Sequence, residues 1–394
     1  MVGQSIICFA KDWNEDPTSN NHVMRELAKN NRVLWLNSIS TRTPSLTNGR
    51  DLRKIFHKLV SFFQGAQQVD RQLWVYTPLV LPFPHSRVAT LLNRWILQTS
   101  ICILRHRLGM RDFQLWTFLP NVAQYLGRLG ESLTVYYCVD EWSKFSYIAE
   151  RQTVEAEQQL CRKADIVFAT SHALVERRLQ YNPETHLATH GVDYELFSQA
   201  LHPNTPVPAD VAALPQPVLG FYGTIQDWVD LDLLSYLAAR HPEWSIVLIG
   251  RIAVDVSALR RYPNVHFLGR RSHHQLPAYC KGFAVGLLPQ KVNDLTLHMN
   301  PIKLREYLCA GLPVVSTALP EVNYYRDRCF IAQTYQEFEA SIAEALRRDS
   351  PQLRLQRNRT MQVETWESKV KQVSAQVMRV KAAQCARKSN SVRV

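Results

Sequence analysis

The chain has 394 residues, 46% of them apolar and 20% charged, a globular balance that excludes intrinsic disorder and leaves room for two or three domains with cores of their own. Its 46 Lys and Arg outnumber its 34 Asp and Glu, and the net charge of +12 asks for an anionic partner: nucleic acid, an acidic membrane surface or a phosphorylated small molecule. No uncharged apolar run approaches the roughly 20 residues that span a bilayer; the longest, over 73–83, is broken by Pro78 and Pro82.

In chain order, Met1 to Ser5 carries no basic leader region, and Ile6-Ile7-Cys8-Phe9-Ala10 predicts a first strand. A helix over 20–29 follows, then strands at 33–36, 73–76, 113–117, 134–138 and 166–170, each succeeded by a helix or a turn-rich loop. His202, Pro203, Pro206, Pro208, Pro215 and Pro217 then crowd one stretch, which reads as a linker. A second strand–helix series begins beyond it, with strands at 218–222, 246–249, 265–268, 285–288 and 313–316. The alternation predicts two Rossmann-like, doubly wound α/β domains: 1–200, a linker over 201–217, then 218–363. A final amphipathic helix over 364–380 and a fraying basic tail over 381–394 complete the expectation. Ligands of such sheets bind beyond the carboxyl ends of the strands, and with two domains a cleft between them is the expected site. The eight cysteines are scattered through mostly apolar runs with no Cys-x-x-Cys pair and no zinc spacing, so they read as buried hydrophobes in a reducing cytoplasm.

The segment from His298 to Thr317 carries the most chemistry. Asn300 suits an N-cap, Pro301 the first helical position, and Gly311 with Pro313 a helix stop, which predicts a short helix between them. Lys303 and Glu306 then share one face near its start. The helix's positive end with Lys303 favours a phosphate, and Glu306 one turn on can accept two hydrogen bonds from a ribose diol. The same spacing also fits a surface Lys–Glu pair on an ordinary helix.

Pro301-Ile-Lys303-Leu-Arg-Glu306-Tyr-Leu-Cys-Ala-Gly311-Leu-Pro313-Val-Val315 resembles the donor-nucleotide signature of bacterial GT-B glycosyltransferases of the group 1 type. The chain is similar in particular to those of teichuronic-acid and exopolysaccharide biosynthesis. Asp12-Trp13, Arg32 to Ser38, Val135 to Glu141, Ala169-Thr170-Ser171, Gly191 to Phe197 and Phe221-Tyr222-Gly223 support the likeness in order and spacing across both halves. The resemblance implies transfer of a sugar, with a retaining outcome, from a nucleotide-diphosphate donor to an acceptor hydroxyl of a surface polysaccharide or lipid-linked oligosaccharide. It carries the ribose role over to Glu306; with Asn300 and Lys303 beside it, the donor's phosphate charge falls to Lys303, to backbone amides near Gly223 and Thr224 and to Arg251, because a basic pair usual in the family is missing. It also has the last helix return to the N-terminal domain. Two positions depart from the pattern. His298 stands eight residues before Glu306, where many retaining relatives carry a first Glu, and Gly223-Thr224-Ile225-Gln226-Asp227 lacks their basic pair.

Asp140 and Glu141 follow a strand and His22 opens a helix, so all three fall at the sheet rim. Asp140 and His22 are the acceptor-side candidates, with capped turns as the alternative. His273-His274 sits where relatives contact the base. Asp230-Leu231-Asp232 matches a metal-binding Asp-x-Asp but precedes a helical run, where Asp is common for dipole reasons, and no metal or other cofactor is expected. No serine lies in a nucleophile elbow and no nucleic-acid-binding signature accompanies the basic residues. An epimerase of nucleotide sugars on the same fold and a non-catalytic, membrane-associated scaffold remain the competing functions. From Arg347 onward there are 12 Lys/Arg and 3 Asp/Glu, so the tail holds +9 of the +12. Together with basic stretches over 42–58 and 94–111, this predicts peripheral attachment to the anionic cytoplasmic leaflet.

Overall fold

The computed structural model describes residues 1–39, 58–81, 83, 86–146 and 148–391. The chain divides into two compact units: unit 1 is Met1–Ala188 with Val370–Val394, and unit 2 is Thr189–Lys369. The boundary therefore lies ahead of the Pro-rich stretch, whose residues belong to unit 2. Val211 in that stretch is fully buried, and Val207 and Leu214 pack with it against the unit 2 core. Arg42, Arg50, Arg53 and Lys54 of the expected basic stretch lie outside the described residues.

Unit 1 holds an eight-stranded sheet built from β1 (Ser5–Phe9), β2 (Arg32–Leu36), β3 (Gln67–Asp70), β4 (Leu73–Tyr76), β5 (Phe113–Thr117), β6 (Leu133–Cys138), β7 (Ile166–Ala169) and β8 (Thr185–Leu187). Its order is β3-β4-β2-β1-β5-β6-β7-β8, parallel throughout except for the β3–β4 edge pair. Buried strands such as Phe113–Thr117 and Leu133–Cys138 are continuous apolar runs because helices cover both faces of a parallel sheet. Unit 2 holds six parallel strands, β9 (Val218–Tyr222), β10 (Ser245–Ile249), β11 (Val265–Gly269), β12 (Val285–Leu288), β13 (Val314–Thr317) and β14 (Phe330–Ala332), in the order β11-β10-β9-β12-β13-β14.

Both sheets reverse direction beside their first strand. In unit 1 the chain runs outward through β2 and then returns to lay β5 on the other side of β1; in unit 2 it runs through β10 and β11 and returns with β12 beside β9. Beyond the carboxyl ends at such a reversal the connections diverge and leave a crevice, which is where parallel sheets bind ligands. The reversals direct attention to the segments after β1 and β9. The final helix, Trp366–Ser391, is longer than its expected 364–380 span. Val370, Val373, Val377 and Val380 are all buried at a three–four spacing, and Arg379 pairs with Glu184 and Lys381 with Asp112 within unit 1.

Candidate functional site

In unit 2 the end of β9 is built to leave backbone bare. Gly223, at φ +138, lies directly under the Lys303 side chain: a Cβ there would collide with the lysine stem, with Nζ 3.0 Å away. Gly250, which ends β10 at φ +145, backs onto the Gly223 carbonyl so closely that no Cβ fits. Two glycines in backbone conformations that L side chains rarely adopt thus let two strand ends and an ammonium converge. The Ile225 amide donates to the Arg251 carbonyl (2.9 Å), which ties the Thr224 loop to the turn that carries the exposed Arg251. Lys303 Nζ also lies 6.0 Å from the centre of the Phe221 ring.

The helix Ile302–Cys309 follows β12 and supplies both charged groups of this corner. Its cap is Pro301, one residue later than expected, and Asn300 is drawn inward. The buried Asn300 amide donates to Glu321 (3.2 Å) and its oxygen accepts from Arg305 (2.7 Å). Arg305, fully buried, also stands 3.6 Å from Glu364 and over the Tyr325 ring. An unpaired buried guanidinium is costly, and the Asn300 side chain serves this network.

Glu306, only 5% exposed, accepts a hydrogen bond from the Tyr222 hydroxyl (2.8 Å) and lies 3.3 Å from His273 Nε2. Burial pushes its carboxyl up, but His273, the Tyr222 hydroxyl and Lys303 outweigh that and hold it below the usual carboxylate range. Tyr222 is itself held edge-to-face on Tyr307 at 4.8 Å. The carboxylate is therefore ionised and fixed, and its roughly four acceptor sites are only half used, which leaves capacity for hydroxyl donors. Sequence reasoning passed over Tyr222 and gave His273 a different task. The signal available was the aromatic at the last position of β9 and the histidine at the start of the 3-10 turn His273–Gln275. His298, in place of the expected carboxylate, turns back onto the Asp294 carbonyl (2.7 Å).

In unit 1, His22 lies on the helix Ser19–Ala28, directly after β1 at the sheet reversal, with a capping box between Thr18 and Asn21 at its start. Asp140 lies two residues beyond β6, one strand further from the reversal. Its backbone carbonyl accepts from Trp142 (3.1 Å). Glu141, expected at the rim, is turned inward instead: it is fully buried and meets Arg178 (3.1 Å), the Ser143 hydroxyl (2.8 Å) and Arg177 (3.5 Å). Arg178 also binds the buried Glu157 (2.8 Å), which accepts from the Tyr136 hydroxyl. Burial, with Glu141 adding to it, pushes Glu157 up, whereas in Glu141 burial is outweighed by Arg178 and Ser143 and its carboxyl is held low. Arg177, Arg178, Glu141 and Glu157 border a cavity of about 230 Å³. A second cavity, of about 500 Å³, lies among Gln4, Arg32, Asp112 and Lys381 at the opposite, amino-terminal ends of the strands, where parallel sheets do not place ligands.

Asp230 caps the helix Leu231–Arg240 by accepting from the Leu233 amide (3.0 Å) and receives the Tyr335 hydroxyl (3.0 Å), so the Asp-x-Asp segment does helix-capping work. Among the described residues no group of three or more His, Cys, Asp and Glu is placed to hold a metal. All eight cysteines are unbridged and six are buried. No helix among the described residues is long and apolar enough to cross a membrane.

Residues 216–348 match the family model described as glycosyl transferases group 1. A Bacillus subtilis (strain 168) protein assigned to teichuronic acid biosynthesis as the glycosyltransferase TuaH is 29% identical over 225 residues, 53% of this chain and 56% of that one, so the alignment spans little more than half of the curated relative. In fold, sucrose-phosphate synthase from Thermosynechococcus elongatus superposes with a TM-score of 0.70 at 15% identity, covering 96% of this chain and 100% of that one. Anabaena Alr3699/HepE, solved with UDP, superposes at 0.59 with 14% identity, covering 98% and 100%.

Proposed function

We propose, for a GT-B chain that carries a group 1 glycosyltransferase domain, that unit 2 binds a nucleotide-diphosphate sugar and that the sugar passes to a hydroxyl of a saccharide or lipid-linked acceptor in surface polysaccharide biosynthesis. One observation supports this most: the Lys303 ammonium sits over the bare Gly223 backbone at the sheet reversal, with the ionised Glu306 one turn along the same helix. Loss of a diphosphate leaving group builds negative charge, and a fixed ammonium with exposed backbone amides stabilises that charge without reorganising. Lys303, Gly223, Thr224 and Arg251 are assigned to the diphosphate and Glu306 to the ribose hydroxyls. This part of the reaction calls on no metal. The UDP held by the HepE relative makes a uridine nucleotide the first donor to try.

On the acceptor side the reading assigns Asp140 and His22, of which a carboxylate or imidazole at a strand's carboxyl end suits hydroxyl binding or proton transfer. A retaining, hexosyl-transferring reaction and a peripheral site of action at an anionic membrane complete the proposal. The test is product analysis: the purified protein is incubated with a panel of nucleotide sugars, with and without membrane extract. A glycosylated acceptor appearing only when donor and extract are both present is the expected result. An isomerised donor formed without extract would make the protein an epimerase, and absence of any nucleotide binding would make it a scaffold.

A further inference from the structure

We infer that the outward face of the helix Arg87–Arg107 in unit 1 is a docking surface for an anionic lipid bilayer. This helix is apolar on two faces. Leu97, Ile101 and Leu104 on the buried one join the unit 1 core, with Ala89 and Asn93 also buried on that side. On the other face Val88, Leu91, Leu92 and Trp95, a run at i, i+3, i+4 and i+7, are 67%, 56%, 45% and 66% exposed, and Ile103 continues it two turns on at 48%. A helix on a globular surface normally presents polar residues there, and an apolar stripe of this length left in water marks a contact surface. The approach to the helix is apolar as well: Leu81 and Phe83 are exposed, and Asn93 holds the Leu81 backbone by a pair of hydrogen bonds (2.6 and 3.0 Å).

Charge decides what covers the stripe. Residues 71–130 contain seven Arg and no Lys, against a single acidic residue, Asp112, which is already paired with Lys381 (3.0 Å). Arg94 sits beside the stripe and Arg107 closes the helix. A second copy of this chain would bring two such basic faces together, and nucleic acid would have no use for the aliphatic stripe. An anionic bilayer takes the apolar side chains into its interface and the arginines at its headgroups. The surface lies on the basic stretch over 94–111 and does not rest on the tail's charge. Of the tail's +9, the described pairs with acids outside it are those of Arg347 and Arg348 with Glu344, Arg379 with Glu184 and Lys381 with Asp112, since Asp349 and Glu364 are already counted in that excess.

The inference builds on the reading of a membrane-borne acceptor, but its readout is independent of it. The full chain is sedimented with vesicles of equal parts phosphatidylglycerol and phosphatidylcholine, and with phosphatidylcholine alone. Binding is expected to the anionic vesicles only and to weaken with salt. Leu92→Glu and Trp95→Glu, each at an exposed position, are expected to weaken it about tenfold or more. Arg94→Gln and Arg107→Gln are each expected to weaken it about fivefold. Equal binding to both vesicle types, no binding at all, or glutamate variants that bind like the parent would overturn the inference, as would a dimer in lipid-free solution that Trp95→Glu dissolves. Nucleotide binding, measured on the same proteins without vesicles, stays unchanged in Leu92→Glu and Trp95→Glu. A parent protein that binds vesicles but no nucleotide would count against the proposed function and leave the docking surface standing.

Discussion

Glu306 shows how far a single residue can be read. Its type and its spacing from Lys303 pointed to hydroxyl binding, and the structure adds what holds it: Tyr222, at the end of a strand 84 positions earlier, and His273. The pairing itself left no periodicity, because the bonded elements are distant in sequence, and the only signal was the place of each partner at the end of its own element. Asn300 shows the opposite case, since its cap-forming chemistry was legible but the buried Arg305 one turn on claims its side chain. The low-lying Glu306 carboxyl has a pH consequence. Its ionised form stabilises the fold at and above the ordinary glutamate value of 4.5, and this stabilisation is lost as pH falls through the depressed folded value. Glu306→Gln should therefore flatten the acid limb of the stability–pH profile below about pH 4.5, measured by thermal unfolding across a pH series. A limb as steep as that of the parent would contradict the assignment of an ionised, hydrogen-bonded carboxylate.

At the scale of elements, the strands of both sheets were legible as apolar runs, and the helix stop at Gly311–Pro313 as turn chemistry. The edge strands β3, β8 and β14 were not: β3 is exposed at every residue and polar in sequence, and β8 and β14 are three residues long each. Equally hidden was the buried ion network of unit 1. The helices Glu150–Lys163 and His172–Leu179 are rich in charged residues, yet Glu157 and Arg178 point inward and lock the connection after β6 through Glu141. That connection carries Asp140, so the network is a positioning device for an acceptor-side candidate. Arg178→Met leaves two buried carboxylates without their cation and should cost about 3–5 kcal/mol in urea unfolding. Arg177→Met, at a half-exposed side chain, should cost less than about 1 kcal/mol. Equal losses in the two variants would remove the distinction between a buried network and a surface pair.

At the scale of the whole molecule, two parallel α/β units followed from the order of strands and helices, whereas the division between them did not. Proline content marked 201–217 as a linker, but the chain changes unit at Ala188, and the proline stretch packs on the unit 2 core. Composition gave the net charge without its location; the helix Arg87–Arg107 carries four Arg and no acidic residue along with its exposed apolar face. On the proposed function, the reversal point of the unit 2 sheet binds a nucleoside diphosphate through Lys303 and Glu306. Calorimetric titration with UDP and with its 2′,3′-dideoxy form tests it directly. The parent should bind UDP more tightly than the dideoxy form, and Lys303→Met should weaken both by about tenfold to a hundredfold. Glu306→Gln should weaken UDP alone, erasing the preference for the ribose. Unchanged affinity in both variants, or a Glu306→Gln protein that still distinguishes the two nucleotides, would contradict the claim.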